Sequence, residues 1–295
     1  MFTTLVAVIA ALVLGHLAPA LLSVVRDWRW FGRWLGWLQG QGDAEQGNRY
    51  LLVLAIAQLV LLAALLQWGL DGRLYGLPAL LFGVLMLALC WGPRDLDRHV
   101  EAVIDADDGS RREAALSHLQ SAGGSVREDM PSLVEATVVN ALRRWFAPLF
   151  WFLLLGPAGV LLYRLLAQAT QGAQSSQLVL AARNAGDWAL AVLEWPVAQL
   201  MTLSMALVGN FDTVFSAWRR AGGNRWTLHN GFLAEAARAS VGAELVEEAE
   251  AAELAGHLPA DERYPELRDA MSVVWRMLLL WMALVAMLVI AGWVG

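Results

Sequence analysis

The chain has 295 residues, 58% of them hydrophobic and only 16% charged, with a formal net charge of −6 and a mean hydropathy of +0.50. A soluble domain of ordinary composition carries about 25% charged residues, so this balance indicates a polytopic membrane protein, and the lack of a basic surplus excludes nucleic acid as a partner. All 21 cationic side chains are arginines, and the single cysteine, Cys90, excludes a disulfide framework and a Cys-rich metal centre.

Residues 2–25 are apolar apart from His16. A secretory signal would carry a basic leading segment and a small-residue cleavage site, so this stretch predicts an uncleaved first span. His16 reads more readily as a hydrogen-bonded packing residue than as a ligand or proton carrier. Arg26, Arg29, Arg33 and Arg49 follow. By the positive-inside rule they put residues 26–49 in the cytoplasm and the N-terminus outside. There Trp30, Trp34 and Trp37 share one helical face, as in a segment lying on the inner leaflet. Spans are expected at 50–70 and 74–92, with Asp71, Gly72 and Arg73 as a tight turn.

The polar segment 93–145 is Arg-bearing, hence cytoplasmic by the same rule. Leu96, Val100, Val103 and Ile104 recur at helical spacing, Gly109 breaks that helix, and a second short helix covers 111–121. Asp105, Asp107, Asp108 and Gly109 faintly resemble a calcium loop, but Ala115 stands where the bidentate Glu belongs. Ser132 and Glu135 have the spacing of a capping box. From Phe146 to Tyr163 no side chain is charged, and a central span is expected at 146–166. Pro148, Gly156 and Pro157 lie inside it; packed neighbours can satisfy the backbone groups they free.

Residues 186–209 are long enough to span yet hold Asp187, Glu194 and Pro196. If they span, Arg219, Arg220, Arg225, Arg238, Arg263 and Arg268 fall inside, which agrees with the charge rule. The segment 210–271 is then cytoplasmic, with a helix at 231–256 whose acidic run (Glu244, Glu247, Glu248, Glu250, Glu253) reads as a solvated face. A last span at 272–294 puts the C-terminus outside. The expected architecture is therefore all-α: a polytopic transmembrane helix bundle, read as one membrane domain of six spans with helical cytoplasmic segments. Fifteen tryptophans, among them Trp68, Trp91, Trp145, Trp188 and Trp275 near span ends, suit interfacial anchors.

Arg183, Asp187 and Glu194 lie on one helical face. Ionisable groups at membrane depth are costly and usually face a bundle interior or a wet cavity. Glu194 is thus the candidate for a polar site, and Arg183 with Asp187 for an outer interfacial pair. No P-loop, nucleophile elbow or HExxH motif occurs. Neither a catalytic residue nor a cofactor nor a metal is expected.

The stretches 147–166 (APLFWFLLLGPAGVLLYRLL), 192–210 (VLEWPVAQLMTLSMALVGN) and 217–223 (AWRRAGG) resemble the AmpE family, bacterial inner-membrane proteins linked to the regulation of β-lactamase induction. That family is in turn similar to the membrane-bound adenosylcobinamide-phosphate synthases. Against the synthases' pattern Asn140 is kept, while Val139, Arg143 and Arg144 stand at its Glu, Asp and Gly positions. Gln199 stands for an Arg. His229, Asn230, Gly231 and Glu235 resemble its late motif. The carboxylates that would hold Mg²⁺ for a phosphate donor are mostly replaced, so the resemblance implies the fold but not the ligase activity.

The resemblance implies an inner-membrane regulatory protein of β-lactamase induction and the response to cell-wall stress. The alternatives are a membrane-embedded amide ligase and a transporter of cell-wall fragments; the latter lacks the internal repeat many transporters show. Asn140, Glu194, Gln199, Asn230, Gly231 and Glu235 are the expected ligand-binding residues. The lipid bilayer and a cell-wall-derived or phosphate-bearing ligand are the expected partners.

Overall fold

The computed structural model describes residues 2–17, 28–39, 48–71, 76–91, 93–119, 129–171, 180–225, 228–254 and 264–291. Among them every regular element is a helix. Four are long and apolar enough to cross a membrane, at Leu52–Leu70, Met130–Gln171, Ala182–Val208 and Pro265–Ile290. Loop 26–49 is described only in part, and the turn residues Gly72 and Arg73 lie outside the described residues, as does Arg263.

The chain forms two compact units. The first comprises residues 1–92, 147–193 and 285–295. In it α1 (Phe2–Leu17) packs on α4 (Leu77–Cys90), and α2 (Arg29–Gln39) packs on α3 (Asn48–Leu70). Both α3 and α4 pack on α8 (Ala147–Gln171). On α2, Phe31 and Leu35 are buried one turn apart, which leaves Trp30 and Trp37 exposed. Helix α4 begins after Gly76, whose left-handed φ of 80° favours glycine, and carries a proline in its first turn. Trp68 is 79% exposed and Trp188 63%, whereas Trp91 and Trp145 are fully buried core residues.

Helix α8 is broken in its middle. Gly156 adopts φ 70°, ψ −154° and Pro157 follows. This is backbone that only glycine takes readily. The Ala158 N–H, which begins the second half, donates to the Gln67 side-chain oxygen at 3.3 Å. Gly159 then lies so close to the earlier half that a Cβ there would meet the Trp151 carbonyl at 2.5 Å. Hydropathy sees an unbroken apolar run here because glycine and proline do not interrupt it.

The second unit comprises residues 93–146 and 194–284. Helix α5 (Pro93–Ile104) buries Leu96, Val100 and Val103. It packs on α6 (Gly109–Leu119) and α7 (Met130–Ala141). Between α5 and α6 the Ser110 hydroxyl donates to Asp108 at 2.7 Å, which holds that carboxyl below its usual range. The same loop is tied by the Arg112 guanidinium donating to the Ala106 carbonyl. Helix α7 starts earlier than the Ser132–Glu135 pattern suggests: Asp129 is the N-cap and Pro131 falls in the first turn. A missing N–H costs nothing there.

Beyond α7 the chain makes a π turn, Leu142–Phe146. Its Trp145 and Phe146 are fully buried. Each meets a tryptophan of α12 (Pro265–Ile290) edge-on, Trp275 at 4.8 Å and Trp281 at 5.1 Å. The Trp281 N–H donates to Ser204 at 2.8 Å on α9 (Leu180–Val208). Helix α10 (Phe211–Arg220) opens on Asn210, which accepts the Thr213 N–H. It closes with the Gly223 N–H on the Trp218 carbonyl and the Gly222 N–H on that of Arg219. With Gly222 at φ 77°, this is a Schellman motif. Helix α11 (Gly231–Leu254) packs on α7 and α10. Its Glu247, Glu248, Glu250 and Glu253 are exposed, whereas Glu244 accepts from Arg276 at 2.6 Å.

A buried arginine–glutamate–asparagine cluster as candidate functional site

Two irregular stretches of helix build the site. The π turn holds one more residue than an α-helical turn would, and on it sit Arg143 and Arg144. In α9, Pro196 has no N–H to return to the preceding turn. Nearby, the Trp151 indole donates to the Leu193 carbonyl at 3.2 Å. Glu194 lies on this stretch and is 2% exposed.

Both carboxylate oxygens of Glu194 are engaged. Arg143 Nε donates to Oε1 at 3.0 Å, and Asn230 Nδ2 donates to Oε2 at 3.1 Å. Asn230 stands just ahead of α11, and its Oδ1 is buried without a hydrogen-bond partner among the described residues. The Arg143 side chain keeps 24% of its surface exposed. A guanidinium has five N–H donors, and the bond to Glu194 uses the one on Nε. The cluster therefore combines a satisfied buried carboxylate, a cation reachable from one side and an open acceptor.

Arg144 turns elsewhere, because neighbouring residues on a helix do not face the same way. It donates to His99 Nδ1 at 2.9 Å and to the His118 carbonyl at 3.1 Å. Arginine can only donate, so His99 accepts through Nδ1 and carries its proton on Nε2. The two imidazoles stack 5.0 Å apart.

The other sequence-predicted residues find separate partners. Asn140 is buried and donates to the Leu119 and Ala136 carbonyls, both at 2.8 Å, which ties α7 to the end of α6. Gln199 accepts from the Trp218 indole and donates to the Gly223 carbonyl, both at 2.9 Å. That knot explains the AWRRAGG stretch. A Cβ at Gly223 would lie 2.1 Å from Trp218 Nε1, so only glycine leaves room for the indole that Gln199 holds. Gly231 is exposed at the start of α11. Glu235 is exposed and pairs with Arg238 at 2.8 Å, which also reaches Glu135 on α7 at 3.7 Å.

Glu194 and Asn230 are thus brought together, with Asn140, Gln199 and Glu235 each bonded in another place. Asp187 is exposed and Arg183 half-buried. Arg183 and Asp187 make no ion pair with each other among the described residues, unlike Arg143 and Glu194. His16 falls in α1, but its side chain lies outside what the structure describes. Sequence reading missed Arg143 as the partner of Glu194. A buried intramembrane carboxylate calls for a cation, but the two residues are 51 positions apart and no periodicity links them. No group of three His, Cys, Asp or Glu side chains that could hold a metal gathers among the described residues.

The family model described as regulatory signalling modulator protein AmpE matches residues 45–292. Protein AmpE of Shigella flexneri is 29% identical over 166 residues, or 52% of this chain and 58% of that protein. The match thus spans less than two thirds of that relative's length. No solved structure matches the chain. A family match that takes in α3 through α12, and with them the whole Arg143–Glu194–Asn230 cluster, places the chain in the AmpE family.

Proposed function

We propose that the protein is a multi-pass regulator of the bacterial inner membrane that modulates β-lactamase induction and the response to cell-wall stress. The observation that carries this reading is the family match, over residues 45–292, to a regulatory signalling modulator. The Arg143–Glu194–Asn230 cluster is the place where it would read its signal. A phosphate-bearing or cell-wall-derived ligand would meet the exposed side of Arg143, and a donor group on that ligand would meet Asn230 Oδ1. Competition for Arg143 would loosen its hold on Glu194, and a buried carboxylate responds strongly to loss of its cation.

Glu194→Gln tests the reading. Glutamine keeps an oxygen for Arg143, and its new N–H₂ can donate to Asn230 Oδ1 once that amide turns over. Protein levels should stay near wild type while the β-lactamase induction curve shifts across an antibiotic titration. An unchanged curve at normal protein levels would remove the cluster from signalling.

The proposed topology is six spans with both termini outside, resting on the arginines at 26–49, 94–144 and 219–268. Cys90 is buried, so background thiol labelling should be low. A Glu247→Cys variant, exposed on α11, should resist a membrane-impermeant maleimide in intact spheroplasts and react after lysis. Labelling before lysis would overturn the orientation.

A further inference from the structure

The break in α8 lines a cavity. Gly156, Pro157 and the residues just before them form one wall of a space of about 330 Å³, within the size range of small-molecule pockets. Phe152 and Phe82 also line it, and Gln67 and Asp71 bring polar groups to it from the end of α3. Non-helical backbone at membrane depth is tolerated only where it is buried in protein or lines a wet cavity.

The lining is rich in acceptors. Pro157 has no N–H to give the Leu153 carbonyl, and both residues line the space. The Gln67 oxygen already receives the Ala158 N–H, which keeps a second lone pair. Asp71 supplies a carboxylate, and no arginine or histidine is among the described lining residues. Among the described residues, one end of the cavity is therefore acidic and acceptor-lined, and Phe82 and Phe152 offer aromatic surface on which a cation is favoured. Trp68, three residues before Asp71, is 79% exposed, and a tryptophan at a span end is the kind of residue favoured at headgroup depth, where a solute can enter.

We propose that this cavity binds a primary ammonium group. The N–H donors would meet Asp71 and the Leu153 carbonyl, and the attached carbon skeleton would lie against Phe82 and Phe152. A free organic amine and an ethanolamine lipid headgroup both supply that chemistry. The site is separate from the Arg143 cluster and does not depend on the proposed role in induction.

The test is titration of the purified full-length protein in phosphatidylglycerol nanodiscs with phenethylamine, against 2-phenylethanol as the neutral analogue of the same shape. Saturable binding of the amine is expected, at least tenfold tighter than the alcohol. Asp71→Asn should weaken it at least fivefold without changing the melting temperature, because Asp71 is exposed at a helix end. Ala79→Leu, which fills the cavity without altering charge, should abolish it. Equal binding of amine and alcohol, no saturable binding, or an Asp71→Asn variant that binds like wild type would overturn the proposal. Adding phosphatidylethanolamine to the discs identifies the source: weakened amine binding means the lipid headgroup occupies the site, and unchanged binding means a free amine does.

Discussion

Replacing Arg143 with methionine is expected to cost about 3 kcal/mol of stability, the range for breaking a buried pair so that one charge is left behind. Glu194 would remain 2% exposed without its guanidinium partner, keeping the Asn230 amide at 3.1 Å. The partner change Glu194→Met should cost less, because the arginine it strands keeps 24% of its side-chain surface exposed. The double variant should recover much of the loss, since two apolar side chains of similar volume need no desolvation. Melting temperatures of the four proteins in one detergent give the coupling energy directly. Additive losses would mean that the pair does not interact in the folded protein, and Arg143 would then be a surface cation at no particular site.

Gly156→Val is the second large effect. The backbone at φ 70°, ψ −154° costs any L-residue about 1–3 kcal/mol. A Cβ would also stand 2.6 Å from the Gln67 amide nitrogen. These contributions separate experimentally. Gln67→Ala alone removes the acceptor of the Ala158 N–H and should cost about 1 kcal/mol, as for a typical hydrogen bond. Combined with Gly156→Val, it relieves the contact but not the backbone strain, so the double variant should stay well below wild type in thermal unfolding. Full rescue by Gln67→Ala would show that crowding alone requires the glycine, and the break in α8 would then be no conformational necessity.

Much of the fold was legible because hydropathy and helical spacing report burial. The stripe Leu96, Val100, Val103 and Ile104 on α5, the helix near 231–256 and the long apolar runs all reappear as helices. What escaped were features that depend on a partner distant in sequence. The tryptophans near span ends look alike in sequence, yet Trp68 is exposed and Trp145 is clamped by Trp275. The π turn leaves no mark because its five residues have ordinary helical composition. At the site, the resemblance to the synthases singled out Asn140, Gln199 and Asn230 together. Only Asn230 bonds to Glu194; the other two amides bond to main-chain carbonyls or to an indole, as buried amides must when no ligand answers them.

Helix α4 has a further implication for the lipid around the protein. Its 14 residues, Leu77–Cys90, extend about 21 Å along the helix axis, roughly 9 Å short of a typical hydrocarbon core. The chain leaves helical geometry at Trp91, which is extended at φ −108°, ψ 123° and fully buried, so the helix cannot lengthen there to make up the difference. Leu77, Leu81 and Leu85 are exposed along it. On the proposed six-span topology, a bilayer in contact with that face would thin to meet it. On that topology, membranes with shorter or more disordered acyl chains would carry the smaller elastic penalty around this protein.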